Sequence, residues 1–132
     1  MSSYVSGTAA ASWSPASLQE GALVVKCDGA LLSLPWEAAT ETGEEIVNIE
    51  WLFKGRSDEL IAICAHGHLI VEPAYSGRVE RLGSAGIAVS GVAASQGGNY
   101  SVEVQVTRDD ASGQRITLTR TATVEVTGEH VG

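Results

Sequence analysis

The sequence predicts an all-β sandwich. Three observations carry that expectation: short runs rich in Val, Ile and Thr that alternate apolar and polar residues, 15 glycines lying mostly between those runs, and no stretch with a helical period. A chain of 132 residues with 44% hydrophobic content suits one domain around one core. Lys and Arg total 8 against 16 Asp and Glu, a formal net charge of -8. So acidic a surface repels phosphate backbones and anionic membrane faces, which excludes nucleic acid as a partner class. The sequence contains neither an apolar run long enough to span a bilayer nor the basic and apolar start of a signal peptide. It therefore reads as either a cytosolic protein or a mature extracellular piece. The two cysteines, Cys27 and Cys64, are too few for a disulfide scaffold.

Taken in order, residues 1–16 are rich in Ser, Ala and Gly and read as an N-terminal extension, with an edge strand beginning near Trp13. The domain proper is expected over 17–127, with 128–132 a tail. Leu23, Val25 and Cys27 share one face of a strand, and that face is expected to point inward. Residues 28–45, with Gly29, Pro35, Gly43 and several acids, read as a long loop. Over 46–53, Val47, Ile49 and Trp51 alternate with Asn48, Glu50 and Leu52. A turn over 54–58, an apolar run over 60–65 and a strand over 68–71 follow. Short strands at 78–82 and 87–92 flank Gly83 and Gly86. From 100 to 107 the alternation is strict: Tyr100, Val102, Val104 and Val106 lie on one side, Ser101, Glu103, Gln105 and Thr107 on the other. Residues 109–113 form a hairpin loop, and the last strand, 115–126, turns Ile116, Leu118, Val124 and Val126 inward. Strict alternation there would bury Arg120, so a bulge is expected near Thr119 to Thr121. This gives about nine strands, the number of a two-sheet sandwich.

Three features then combine. Trp51 points inward on the third strand, Arg78 opens a later strand, and Gln96-Gly97-Gly98-Asn99-Tyr100-Ser101-Val102 resembles the Asp-x-Gly-x-Tyr-x-Cys motif that starts strand F in variable-type (V-type) immunoglobulin domains. The separation of Trp51 from Tyr100 leaves room for the extra C′ and C″ strands of that type. Ile49 to Lys54, Tyr75 to Val79, and Gly98 to Val104 running into Thr107 to Gly113 resemble most the N-terminal domain of the hepatic and glial cell adhesion molecule family. Variable domains of chordate immune receptors are the broader relatives. The resemblance spans 18–127 and implies a V-type sandwich, without the usual disulfide between strands B and F, that serves adhesion at a cell surface. It casts Tyr100 as the tyrosine whose hydroxyl pins the corner between strands E and F. Cys27, Trp51 and Val102 become core residues, and Val102 stands where the second cysteine would be. The missing bridge forgoes roughly 2–4 kcal/mol. Gln96 in place of Asp reduces the usual ion pair with Arg78 to a neutral hydrogen bond.

Chemistry is sparse. Cys64, His66 and His68 would share one face of a continuous strand, but no fourth ligand accompanies them, so exposed strand-end residues are the preferred reading and no metal is expected. No nucleophile elbow is present, and no helix follows the paired glycines to cradle phosphate, so neither enzyme activity nor a cofactor is expected. Cys27 reads as a buried small hydrophobe; a Cys27–Cys64 bridge is a less usual alternative. Asn99-Tyr100-Ser101 is a glycosylation sequon whose place against a core tyrosine favours chance occurrence. The candidate partner-binding residues are Glu50, Leu52, Glu103, Gln105 and Thr117, on the outward face of the G, F, C and C′ strands. A second set lies in loops: Leu34 and Trp36, with Asp109 and Asp110. Trp36 is either an exposed anchor or a lid folded over the core. The expected function is extracellular recognition or adhesion, in a secreted or membrane-anchored parent, by binding another protein; a second copy forming a homodimer is one candidate. The alternatives are an innate immune binder of non-self ligands such as microbial glycans, acting through the loops, and an intracellular structural immunoglobulin repeat.

Overall fold

A computed structural model describes residues 11–55, 58–108 and 113–128. Asp109, Asp110, His130, residues 56–57 of the first turn and the first ten residues lie outside the described residues.

The strands are β1 (Ser12–Trp13), β2 (Ala22–Cys27), β3 (Leu32–Leu34), β4 (Ala38–Ala39), β5 (Glu44–Lys54), β6 (Asp58–Ala65), β7 (His68–Val71), β8 (Val79–Leu82), β9 (Gly86–Val89), β10 (Gly98–Arg108) and β11 (Arg115–Thr127). Single 3-10 turns at Pro73–Tyr75 and Ala94–Gln96 precede β8 and β10. The larger sheet runs β2-β11-β10-β5-β6-β7, the smaller β3-β9-β8, and β1 pairs with β4. In V-type lettering the large sheet is A′GFCC′C″ and the small sheet BED. The molecule is an all-β V-type sandwich.

Strand β10 organises the interior because it pairs with both long neighbours. Its register sets Tyr100 opposite Phe53, Val102 opposite Trp51, and Val104 opposite Ile49. All six are buried. The Phe53 and Tyr100 rings lie 4.8 Å apart in a tilted pair, a geometry that adds to simple burial. Trp51 reaches across the sandwich, donating from Nε1 to the carbonyl of Ala85 at 2.9 Å. Gly86 fits there because a Cβ would lie 2.9 Å from the carbonyl oxygen of Leu34 and 2.8 Å from that of Leu82.

Strand B does not contain Cys27. Cys27 is exposed, at the end of an edge strand that runs parallel to β11. Alternation identified the strand but not its inward side. The register sets Ala22 and Val24 against Ala122 and Val124, both buried. That turns Leu23 and Val25 outward, at 62% and 52% exposure, with Cys27 beside them. Strand B is β3 instead, and its Leu32 and Leu34 share the core cluster with Trp51 and Val102. Each such fully buried side chain contributes about 1.5–3 kcal/mol, enough for three of them to offset an absent bridge.

Residues 28–45 are therefore not one long loop, since they hold β3 and β4. Trp36, between these strands, is 1% exposed, and Leu34, the last residue of β3, is fully buried. Residues 11–16 likewise belong to the folded body: Ala11 is in the core, and Ser14 donates its N–H to the carbonyl of Glu37.

The expected bulge at Thr119 to Thr121 is absent. The β10–β11 register is unbroken, and Arg120 pairs with Val102 on the inward side. The segment before β2 covers it: Arg120 Nη1 donates to the carbonyl of Leu18 at 3.0 Å, and the guanidinium sits 5.0 Å from the Trp13 ring centre. A carbonyl and a π face accommodate the half-buried charge without breaking the ladder.

The Cys64, His66, His68 trio does not form either. His66 (φ 50°) and Gly67 (φ 83°) are the two central residues of a hairpin that pairs Ala65 with His68, as a primed two-residue turn requires. The strand turns back at His66, leaving Cys64 buried and both histidines exposed.

Candidate binding face

Outward side chains of the large sheet fall into rows set by strand register. One row crosses five strands: Thr119 on β11, Glu103 on β10, Glu50 on β5, Ile63 on β6 and Ile70 on β7. On one side of it lies the row Thr121, Ser101, Leu52 and Leu60. On the other lies Thr117, Gln105, Asn48, Ala65 and His68. The structure thus brings together Glu50, Leu52, Glu103, Gln105 and Thr117, five residues expected to share a face. Glu50, Leu52, Glu103 and Gln105 are half-buried and Thr117 is exposed.

The rows add what the sequence did not mark. Leu60, Ile63 and Ile70 join Leu52 to make the β5–β7 side apolar, and Ile70 is 56% exposed. The β10–β11 side is hydroxyl and amide. A bulge between Trp51 and Leu52, opposite Leu60 and Ala62, buries two consecutive residues of β6 and shifts its parity. That shift hides Leu60 and Ile63 inside what reads as a uniform apolar run. The alternation of His68 and Ile70 with Leu69 and Val71 is the one signal from which Ile70 could be placed outward.

At the centre Glu103 lies directly opposite Glu50. Like charges so placed repel, by about 0.2–1 kcal/mol in a typical exposed pair. Glu50 receives a long hydrogen bond of 3.4 Å from Asn48 Nδ2.

The loop set fares differently. Leu34 and Trp36 are buried and unavailable to a partner, so Trp36 is a lid and not an anchor; Leu31, at 54% exposure, is the residue of that apolar group left outside. Asn99 is exposed, on the side of β10 opposite the Tyr100 ring, and its Oδ1 accepts from Thr123 Oγ1 at 3.1 Å. The confined position expected for Asn99 is therefore not what strand parity gives, since its side chain faces solvent.

The corner at one end of the sandwich holds a cleft of about 990 Å³, lined in part by Phe53, Glu59, Tyr75, Arg78 and Gln96. Its polar groups engage one another. Tyr100 donates from Oη to the carbonyl of Gln96 at 2.7 Å, the bond of a tyrosine corner. Arg78 donates to the carbonyls of Ser90 and Gly91 and to Gln96 Oε1 at 3.1 Å, the neutral contact anticipated from Gln in place of Asp. Gln96 Oε1 also accepts the Ala93 N–H. Tyr75 donates to Glu59 Oε1 at 3.0 Å. Burial first, then the bond to Glu59, pushes the Tyr75 hydroxyl up to about 12. Burial above all also raises that of Tyr100.

Elsewhere, Cys64 accepts a long contact of 3.5 Å from Arg81 Nη1. Among the described residues no group of three or more His, Cys, Asp or Glu side chains could hold a metal ion, and no helix is long and apolar enough to cross a membrane.

No protein-family model matches the sequence, and no curated protein matches it. Solved structures do. Murine CRIg is similar with a TM-score of 0.73 at 13% identity, covering 88% of this chain and 97% of that one. Domain 1 of VCBP3 from Branchiostoma floridae gives 0.68 at 13%, covering 90% and 96%; VCBP3 is described as a v-region-containing chitin binding protein. An extracellular domain of the voltage-gated sodium channel beta4 subunit, whose parallel homodimers explain its role in cell-cell adhesion, gives 0.61 at 18%, covering 84% and 94%. At such identities the likeness shows the fold, and all three agree on the V-type sandwich.

Proposed function

We propose that this domain recognises a protein partner through the outward face of β11, β10, β5, β6 and β7, as the extracellular part of a secreted or membrane-anchored protein. It acts by binding and not by catalysis. The observation that carries the reading is the set of rows: a continuous five-strand surface, apolar on one side, hydroxyl and amide on the other, with two carboxylates between. Half-buried apolar residues beside polar groups on a stiff scaffold suit a modest, partly wet protein contact. The stretches resembling the hepatic and glial cell adhesion molecule family support adhesion as the setting, as does the fold shared with a domain that forms adhesive homodimers. The reading of a glycan binder acting through the loops loses its anchor, because Trp36 and Leu34 are buried.

The test is staining of cells by a fluorescent multimer of the domain. Leu52→Arg and Ile70→Arg should abolish staining of responsive cells, while Glu80→Arg, at an exposed position on β8 of the other sheet, should leave it intact. Loss with Glu80→Arg, or retention with both face variants, would move the site elsewhere.

A further inference from the structure

We infer that the occupant of this face is a basic protein surface, with arginine or lysine side chains framed by apolar residues, and not a second copy of this chain. The inference rests on the reading above and supplies the partner's chemistry.

Glu50 and Glu103 face each other across adjacent strands at the middle of the face. Across the three rows from Asn48 to Leu52, the described residues contribute no lysine or arginine. The cations on the margin are otherwise placed. Lys54 lies 3.8 Å from Asp58. Arg115 lies opposite Thr107, four residues beyond Glu103 on β10 and so about 13 Å along the sheet.

In the free domain, water screens the two half-buried carboxylates from each other. A partner that covers the face removes that water, and the repulsion grows as the local dielectric falls. A neutral occupant would therefore make the pair costlier than it is in solution. An arginine or lysine reaching the row between Glu103 and Glu50 reverses the sign, and guanidinium geometry suits paired carboxylate oxygens. A second copy docked on the same rows brings two more carboxylates, on a body that already carries a charge of -8. The neighbouring Leu52, Leu60, Ile63 and Ile70 supply the apolar area, so the partner should present an apolar strip flanked by its basic residues.

The experiment has two arms on the intact domain. Sedimentation velocity up to about 1 mM should show a monomer, well above the Kd of a stable dimer. Amide shifts of the ¹⁵N-labelled domain should then be followed against two synthetic probes, an alternating Leu-Arg octapeptide and its Leu-Glu counterpart. The arginine peptide should perturb Glu50, Leu52, Ile63, Ile70 and Glu103. Its affinity should fall roughly tenfold in the Glu50→Gln, Glu103→Gln double variant, as two partly exposed charge pairs imply, and fall again with salt. The glutamate peptide should leave these amides unmoved. A wild-type dimer dissolved by Ile70→Arg, or equal binding of the two peptides at these amides, would overturn the inference while leaving the face as the binding surface. A monomer whose arginine-peptide shifts map to other acidic regions would sink both.

Discussion

Glu44 gives the sharpest test of the packing described above. Its side chain is 1% exposed, and one carboxylate oxygen pairs at 3.1 Å with Arg108 Nη2, itself 22% exposed. The carboxylate also accepts the backbone N–H groups of Glu41, at 2.8 Å, and of Ala11. These donors, the Glu41 N–H foremost, hold the carboxyl below its ordinary value of 4.5. Glu44→Gln keeps the shape and removes the charge. Arg108 is partly exposed and keeps solvent and other partners, so losing the charge at Glu44 should cost less than breaking a fully buried pair, about 1–2 kcal/mol. For a domain of this size, that is a drop in Tm of roughly 5 °C. The pH dependence follows from the sign of the shift. A carboxyl with a depressed folded-state pKa contributes stability that is present above 4.5 and lost as pH falls through the folded value. Urea unfolding followed by tryptophan fluorescence should therefore show a gap between wild type and variant at pH 7 that closes at lower pH. Lys54→Ala serves as control, because the Lys54–Asp58 pair is exposed on both sides, and it should cost less than about 1 kcal/mol. A Glu44→Gln effect no larger than the control's, or a gap that persists below the folded pKa, would refute the reasoning.

Three further outcomes are expected. Cys27 should react at once with a thiol reagent in the native state, and Cys64 should react upon unfolding; the reverse order would return Cys27 to the core. The absorbance of ionised tyrosine should show a transition near 12 that Tyr75→Phe removes. Because burial raises that hydroxyl's pKa, its contribution to stability is complete below 10 and lost as pH rises toward 12. Tyr100→Phe should cost about 1–2 kcal/mol by leaving the Gln96 carbonyl without its hydroxyl donor; an unchanged denaturation midpoint would mean that the corner bond carries no weight.

Much of this was legible from residues whose local pattern and tertiary role agree. Tyr100 to Val106 alternate without interruption on a central strand, so period two gave both the strand and its faces. The same agreement placed Glu50, Leu52, Glu103, Gln105 and Thr117 together. Most of the misplacements trace to information held by another part of the chain. Alternation assigns Leu23, Val25 and Cys27 to one side of β2, but parallel pairing with β11 decides which side is core. Strand β3 is three residues long and followed by Pro35, too short for any period to emerge. Arg120 reads as a residue to be expelled, yet the ladder keeps it because Trp13 and Leu18, distant in sequence, cover its charge. The apolar half of the face was hidden by the bulge beside Leu52.

The most direct measurement is a scan placing arginine at every exposed or half-buried position of the displayed domain, read for binding to responsive cells and, in parallel, for folding. Folded variants that lose binding should cluster at Leu52, Leu60, Ile63, Ile70 and Gln105. Glu50 and Glu103 should join them, because an added cation repels a basic partner. Losses concentrated instead around Leu23, Val25 and Leu31, with the five-strand surface indifferent, would contradict the assignment of recognition to that surface.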